Sequence, residues 1–252
     1  MSVRRERSGD VATVVIDRPE ARNAITTELA RELTEAITDT AADARVIVLR
    51  GNGPDFCAGG DVSALAQLHA RGRAATAELF AAFRELCRAI ESVPVPVVAA
   101  VHGHAVAGGL ELVQSCDLAV VSADARLADI HCRYGQVPGG GSTQRLPRIV
   151  GRQRAMGLIL TGETISGRQA VEWGLAYRVA EPGELDRAVD DVVGLLLANP
   201  APAMARSKSL VVHALAGSLD EGLDLETRTV LDHLEAEADT AFAAFSHRRS
   251  VR

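Results

Sequence analysis

Apolar and polar positions divide the chain into a strand-and-helix first part and a purely helical last part. Residues 3–7 and 11–17 read as two strands of a hairpin turning at Ser8-Gly9-Asp10. Thr26 or Thr27 caps a helix to about residue 40, with Leu29, Leu33 and Ile37 on one face. Residues 45–50 (RVIVLR) form a buried strand, and Gly51-Asn52-Gly53-Pro54 a turn. FCAGGD at 56–61 reads as a glycine-containing strand-to-helix junction, and a long helix over about 74–92 carries Leu79, Phe83, Leu86 and Ile90. The apolar run at 97–101 follows Pro94 and Pro96, breaks at Gly103 and resumes as a helix near Ala107. Short strands are expected at 118–121, 127–129 and around Val179, with helices over 145–149, 153–160 and 167–173. Ser142 or Thr143, after Gly139-Gly140-Gly141, is the expected cap of the first of these helices. From Pro182 onward only helical periodicity remains, over 184–198, 201–216 and a long amphipathic 219–246. The break at Pro200-Ala201-Pro202 divides an α/β core, residues 1–198, from a helical region, residues 199–252.

Composition narrows the class without naming a function. The chain is 252 residues long, 47% hydrophobic and 24% charged, which is ordinary for a globular protein with a sizeable core. A net charge of −6 argues against general nucleic-acid binding. No apolar run is long enough to span a bilayer, and the charged N-terminal stretch lacks the apolar segment of a signal peptide. A cytoplasmic protein without membrane attachment is expected. Cys57, Cys87, Cys116 and Cys132 show no CxxC spacing and read as reduced thiols. His102 and His104 lack an acidic or cysteine partner at ligand spacing, so a metal site is not expected. P-loop, HExxH, GxSxG and strand-linked GxGxxG motifs are absent.

The stretch 98–120, VAAVHGHAVAGGLELVQSCDLAV, carries the chemistry. A strand ending in a glycine turn that feeds a helix leaves N–H groups unpaired at the positive end of the helix dipole. Gly108 and Gly109 either allow tight helix–strand packing or open that end to a ligand oxygen. Glu111, one turn in, either complements the dipole or serves as a base beside it. An anion-stabilising backbone next to a carboxylate suits chemistry through an enolate.

Five segments in order then resemble the crotonase, or enoyl-CoA hydratase/isomerase, superfamily. They are IDRPEARNAI at 16–25, FCAGGD at 56–61, 103–117, GQVPGGGSTQRL at 135–146, and LTG at 160–162 with 170–175. The resemblance implies an α/β crotonase-like spiral of repeated ββα units and a C-terminal helical trimerisation region, giving a homotrimer or dimer of trimers. It implies an acyl-CoA thioester as ligand and no cofactor beyond the coenzyme A of the substrate. It assigns the backbone N–H groups of Gly60 and Gly108 to the thioester oxygen. Arg22, Ala24, Ala58, Gly59, Asp61 and Val62 match CoA-contacting segments; Phe245 and Arg248 match positions that reach the CoA of a neighbouring subunit, although Arg248 also reads as part of a solvated tail.

Hydratases of this superfamily pair two glutamates twenty residues apart. Glu111 matches the first, and a gapless count reaches His131 in place of the second. Gly139 leaves empty a position that some isomerases fill with aspartate, and the register of Asp129 points it elsewhere. Glu111 as base and His131 as acid suit hydration of a 2-enoyl-CoA. The same parts suit isomerisation or thioester and β-diketone hydrolysis, and a non-catalytic CoA-binding or scaffold role is the alternative of another class.

Overall fold

A computed structural model describes the backbone of residues 2–214 and 217–249 and the side chains of residues 2–214 and 217–237. The chain divides into two compact units, Met1–Asn199 and Pro200–Arg252.

The first unit is wound around a six-stranded sheet. Strands β1 (Val3–Ser8) and β2 (Val11–Ile16) form the antiparallel hairpin. Helix α1 (Thr27–Ala41) follows a 3-10 turn at Pro19–Ala21; Thr26 caps it by accepting the Leu29 N–H. Strand β3 (Val46–Gly51) lies parallel to β2. Then come α2 (Val62–Ala70), α3 (Arg73–Ser92), β4 (Val97–Val101), β5 (His104–Val106), α4 (Gly108–Ser115), β6 (Leu118–Ser122) and β7 (Arg126–Ala128). A 3-10 turn at His131–Tyr134 leads to α5 (Ser142–Val150), α6 (Arg152–Thr161), β8 (Thr164–Ser166), α7 (Gly167–Glu172), β9 (Arg178–Ala180) and α8 (Leu185–Leu197). The large sheet has the order β1-β2-β3-β4-β6-β9 and is parallel beyond the hairpin. A three-stranded sheet has the order β5-β7-β8.

Both faces of the large sheet are buried, which is why its central strands read as unbroken apolar runs rather than alternating ones. Ile47, Leu49, Val97, Ala99, Val101 and Val121 pack into the main core with Leu33 and Ile37 of α1 and Phe83, Leu86 and Ile90 of α3. Val46, Val48, Val98, Ala100 and Val120 face the opposite way, against Leu185, Val189, Val192 and Val193 of α8.

The ββα repeat is visible in the pairing. Strand β3 is followed by a short extended stretch whose Cys57 bridges Ala105, and then by α2. Strand β4 is followed by β5 and α4, and β6 by β7 and the 3-10 turn. The short second members lie side by side: Cys57 beside β5, and β5 parallel to β7.

Four local expectations change. Residues 56–61 form isolated bridges rather than a strand. The helix α2 was not marked by the apolar pattern, and none of its residues is fully buried. Helix α5 starts at Ser142 without a side-chain cap, because Gly141, which has no side chain, holds the cap position; Ser142 instead donates its N–H to Glu111 and accepts from Gln114 with its hydroxyl. In the second unit, α9 (Ala201–His213) precedes α10 (Leu219–Arg249), whose helical geometry is interrupted at Glu237 (φ −125°, ψ 17°).

Candidate active site

Three successive turns of the spiral deliver residues to one place. In the first, the extended stretch after β3 is held by Cys57 N–H donating to the His104 carbonyl at 3.0 Å, and by Val106 N–H donating to the Cys57 carbonyl at 3.1 Å. Ile25 N–H donates to Gly59 and Asp61 N–H to Ile25, so the N–H of Gly60 between them turns away from that bridge. In the second turn, Gly108 is the first residue of α4, where an N–H has no intrahelical acceptor. Among the described residues neither the Gly60 nor the Gly108 N–H has an acceptor. A Cβ placed on Gly108 would stand 3.5 Å from the Gly60 nitrogen, so the two amides are neighbours. Ala107, just before them, holds φ 48° and ψ −118°, a conformation that L-residues seldom adopt and that stores roughly 1–3 kcal/mol. Gly109 must be glycine for packing: a Cβ there would lie 2.2 Å from the Cys57 carbonyl oxygen.

Glu111 sits one turn into α4 and is 2% exposed. Its Oε1 accepts N–H bonds from Gly140 at 2.8 Å and Ser142 at 3.0 Å, while Oε2 has no hydrogen-bond partner among the described residues. Burial pushes the Glu111 carboxyl up; the Ser142 amide, the charge of His131 and the Gly140 amide oppose this, and the net pKa is raised. The glycine loop fits closely, since a Cβ on Gly140 would lie 2.1 Å from the Phe83 ring and 2.6 Å from Glu111 Oε2. Arg145 clamps the loop from behind, donating to the Gly140 carbonyl at 2.9 Å and to Glu91 at 2.7 Å. Arg145 lies in the family-resembling segment 135–146, but the sequence gives it no role.

The third turn brings His131, with 12% of its side chain exposed, and Asp129, fully buried. His131 Nδ1 stands 2.6 Å from Asp129 Oδ1, which also accepts the His131 N–H at 3.3 Å. This corrects the expectation that Asp129 points elsewhere. Strand alternation ends with β7 at Ala128, and beyond it the carboxylate folds back on the residue two positions on. Burial raises the Asp129 carboxyl, but the His131 bond and charge outweigh it and the net pKa is lowered. The Ser142 hydroxyl adds to this lowering, although Oδ2 itself lies outside hydrogen-bond geometry of any described group. Burial lowers the His131 pKa, but the bond and charge of Asp129 and the charge of Glu111 prevail and raise it.

A cleft of about 410 Å³ lies between α2, α3 and the loop after His131, lined by Val62, Leu65, Ala66, His69, Thr76, Phe80, Gln136 and Val137. Val62 is 73% and Val137 78% exposed, so this wall is apolar and open. Phe80 occupies the space beside Gly139, where a Cβ would come within 2.3 Å of its ring.

The remaining expected residues frame the Gly60 side. Arg22, left-handed at φ 52°, donates to Asp55 at 2.7 Å and keeps half its side chain exposed. Ala24 is buried, and its carbonyl accepts from Arg18. The Ala58 N–H donates to the Arg22 carbonyl, and Gly59 (φ 94°) packs where a Cβ would meet the Val106 carbonyl at 2.8 Å. Asp61 caps α2 through Ala64 N–H and pairs with Arg18. The side chains of Phe245 and Arg248 lie outside the described residues. His104 Nδ1 pairs with Asp55 at 2.6 Å, and His102 Nε2 bonds the Gly53 carbonyl. Among the described residues no cluster of three or more His, Cys, Asp or Glu could hold a metal ion.

Comparison with known proteins shows the family. The family model described as "Enoyl-CoA hydratase/isomerase" matches residues 6–251. The short-chain-enoyl-CoA hydratase of Clostridium acetobutylicum is 32% identical over 251 residues, covering 98% of this chain and 95% of its own. The crystal structure of a putative enoyl-CoA hydratase from Streptomyces coelicolor A3(2) superposes with a TM-score of 0.92 at 30% identity, covering 98% of this chain and 92% of that one. A putative enoyl-CoA hydratase from Thermobifida fusca YX, solved in complex with acetoacetyl-CoA, gives 0.85 at 32% identity, covering 93% and 95%. A spiral of ββα turns, matched by the family model over nearly its whole length, makes this chain a member of the enoyl-CoA hydratase/isomerase family, within the crotonase superfamily.

Proposed function

We propose that the protein hydrates a 2-enoyl-CoA thioester, with Glu111 as base and His131 as acid. The observation that carries this reading is the state of Glu111: one carboxylate oxygen fixed by two loop amides, the other unpaired, beside the free N–H groups of Gly60 and Gly108. The thioester oxygen accepts from those two amides. Glu111 Oε2 removes a proton from water as the water oxygen bonds to the β-carbon. The double-bond electrons move onto the thioester oxygen, where the two amides stabilise the enolate. The enolate then collapses, its α-carbon taking a proton from His131 Nε2. The product is the 3-hydroxyacyl-CoA, and proton exchange between Glu111 and His131 through solvent restores the site. A raised Glu111 pKa makes it a stronger base than a free carboxylate, and a raised His131 pKa favours the protonated ring that an acid requires.

The apolar cleft between Val62, Phe80 and Val137 suits the acyl chain. Arg22, Ala24, Ala58, Gly59, Asp61 and Val62 frame the CoA side, with coenzyme A entering as part of the substrate and no further cofactor. Self-association as a trimer or dimer of trimers through the C-terminal helices fits the exposed Leu219, Leu223, Val230, Leu231 and Leu234 of α10. No described helix is long and apolar enough to cross a membrane; a cytoplasmic location is part of this proposal.

The test is Glu111→Gln assayed with crotonyl-CoA and product analysis. The expected result is 3-hydroxybutyryl-CoA from the wild type and a kcat lower by about 10²–10⁴ in the variant, with KM little changed. Unchanged turnover would remove Glu111 as the base.

A further inference from the structure

Asp129 is fully buried; among the described residues its geometric hydrogen bonds run to His131, and the Ser142 hydroxyl lies close enough to favour its charged form as well. A buried carboxylate is unfavourable unless it is paired, and here the pairing is with a ring that faces Glu111. We propose that Asp129 is a positioning residue that acts through His131: the two form one proton-donating unit in which the carboxylate holds Nδ1–H and leaves Nε2 to protonate the substrate's α-carbon. This rests on the hydration reading above.

Two physical arguments support it. An acceptor-only carboxylate 2.6 Å from Nδ1 requires a proton on that nitrogen, so Nε2 carries the transferable one. The second argument is charge. Imidazolium with carboxylate is neutral overall and becomes −1 after giving up a proton, the same change as a carboxylic acid undergoes. A lone imidazolium would start at +1 and pull harder on Glu111, lowering its strength as a base. The charged groups that face the ring are Asp129 and Glu111. Arg133, on the same turn, reaches away to the Thr161 carbonyl at the end of α6, and Arg145 of α5 is paired with Glu91. Burial lowers the ring's pKa, and those two carboxylates more than offset it.

The experiment is Asp129→Asn with crotonyl-CoA, read by kinetics and by ¹⁵N NMR of the histidine rings. The kcat should fall by about 10²–10⁴ with KM within about threefold. The descending high-pH limb of kcat and the His131 titration should both move to lower pH by about one unit or more, because an opposite charge in contact has been removed. In the wild type above the His131 pKa, the ring should be protonated at Nδ1. An unshifted His131 titration in Asp129→Asn, or an Nε2-protonated ring in the wild type, would overturn the unit while leaving Glu111 as base untouched. If Asp129→Asn does not fold, the wild-type tautomer decides alone. His131→Ala with near wild-type hydration would instead overturn the acid role of His131 itself.

Discussion

Asp55 is a single residue that ties three segments together. It accepts from the Arg22 guanidinium, the His104 ring and the His104 amide, which joins the chain near the first 3-10 turn to the start of β5. Burial raises its carboxyl, but these bonds outweigh burial and hold the pKa at about 2. A depressed folded-state pKa contributes stability above the unfolded value near 3.8, lost as pH falls through about 2. The shift corresponds to no more than about 2 kcal/mol, since Arg22 is half exposed and its charge is partly screened. Asp55→Asn should therefore be less stable than wild type by up to about 2 kcal/mol at pH 7, with the gap closing between pH 4 and pH 2. Denaturant melts across that range check this, and a gap that stays constant to pH 2 would contradict it.

At the scale of elements, the functional point recurs where each short second strand ends. Gly60, Gly108 and the Asp129–His131 pair occupy that place in three consecutive turns. The neighbouring glycines of α4 have separate duties that substitution can tell apart. A methyl group on Gly108 meets only ordinary contacts, at 3.4 Å from Ile25 and 3.5 Å from the Gly60 nitrogen, but it fills the space between the two amides. A methyl group on Gly109 strikes the Cys57 carbonyl at 2.2 Å. Gly108→Ala should keep its melting temperature and lose a factor of about 10²–10³ in kcat. Gly109→Ala should lose stability by about 1–3 kcal/mol, the range expected for overpacking. Melting curves and crotonyl-CoA kinetics on the pair check this; a stable, fully active Gly108→Ala would leave the two amides without a role.

At the scale of the molecule, α10 carries Leu219, Leu223, Val230, Leu231 and Leu234 with more than a third of each exposed in the single chain. Apolar residues repeated along one helix at this exposure are expected to be covered in solution. Light scattering at micromolar concentration should give the mass of a trimer or a hexamer, and a monomer would contradict the proposed assembly.

The sequence by itself marked the central strands, the two glycine junctions and Glu111 at the mouth of α4, because these rest on local rules, and the family resemblance carried by its motifs implied the ββα winding. Apolar runs mark strands buried on both faces, glycine marks close backbone approach, and motif order fixes register. It did not determine α2, whose residues stay partly exposed and so leave no apolar stripe. Only the tertiary structure decided what meets across turns of the spiral. Glu111 is fixed by amides about thirty positions away, at Gly140 and Ser142, and Arg145 holds that loop through Glu91, 54 positions before it. Asp129 misled the sequence reading for the same reason. Strand alternation predicts a direction only while the strand lasts, and β7 ends one residue earlier. What the carboxylate then faces is set by the packing of three turns of chain, which no local pattern records.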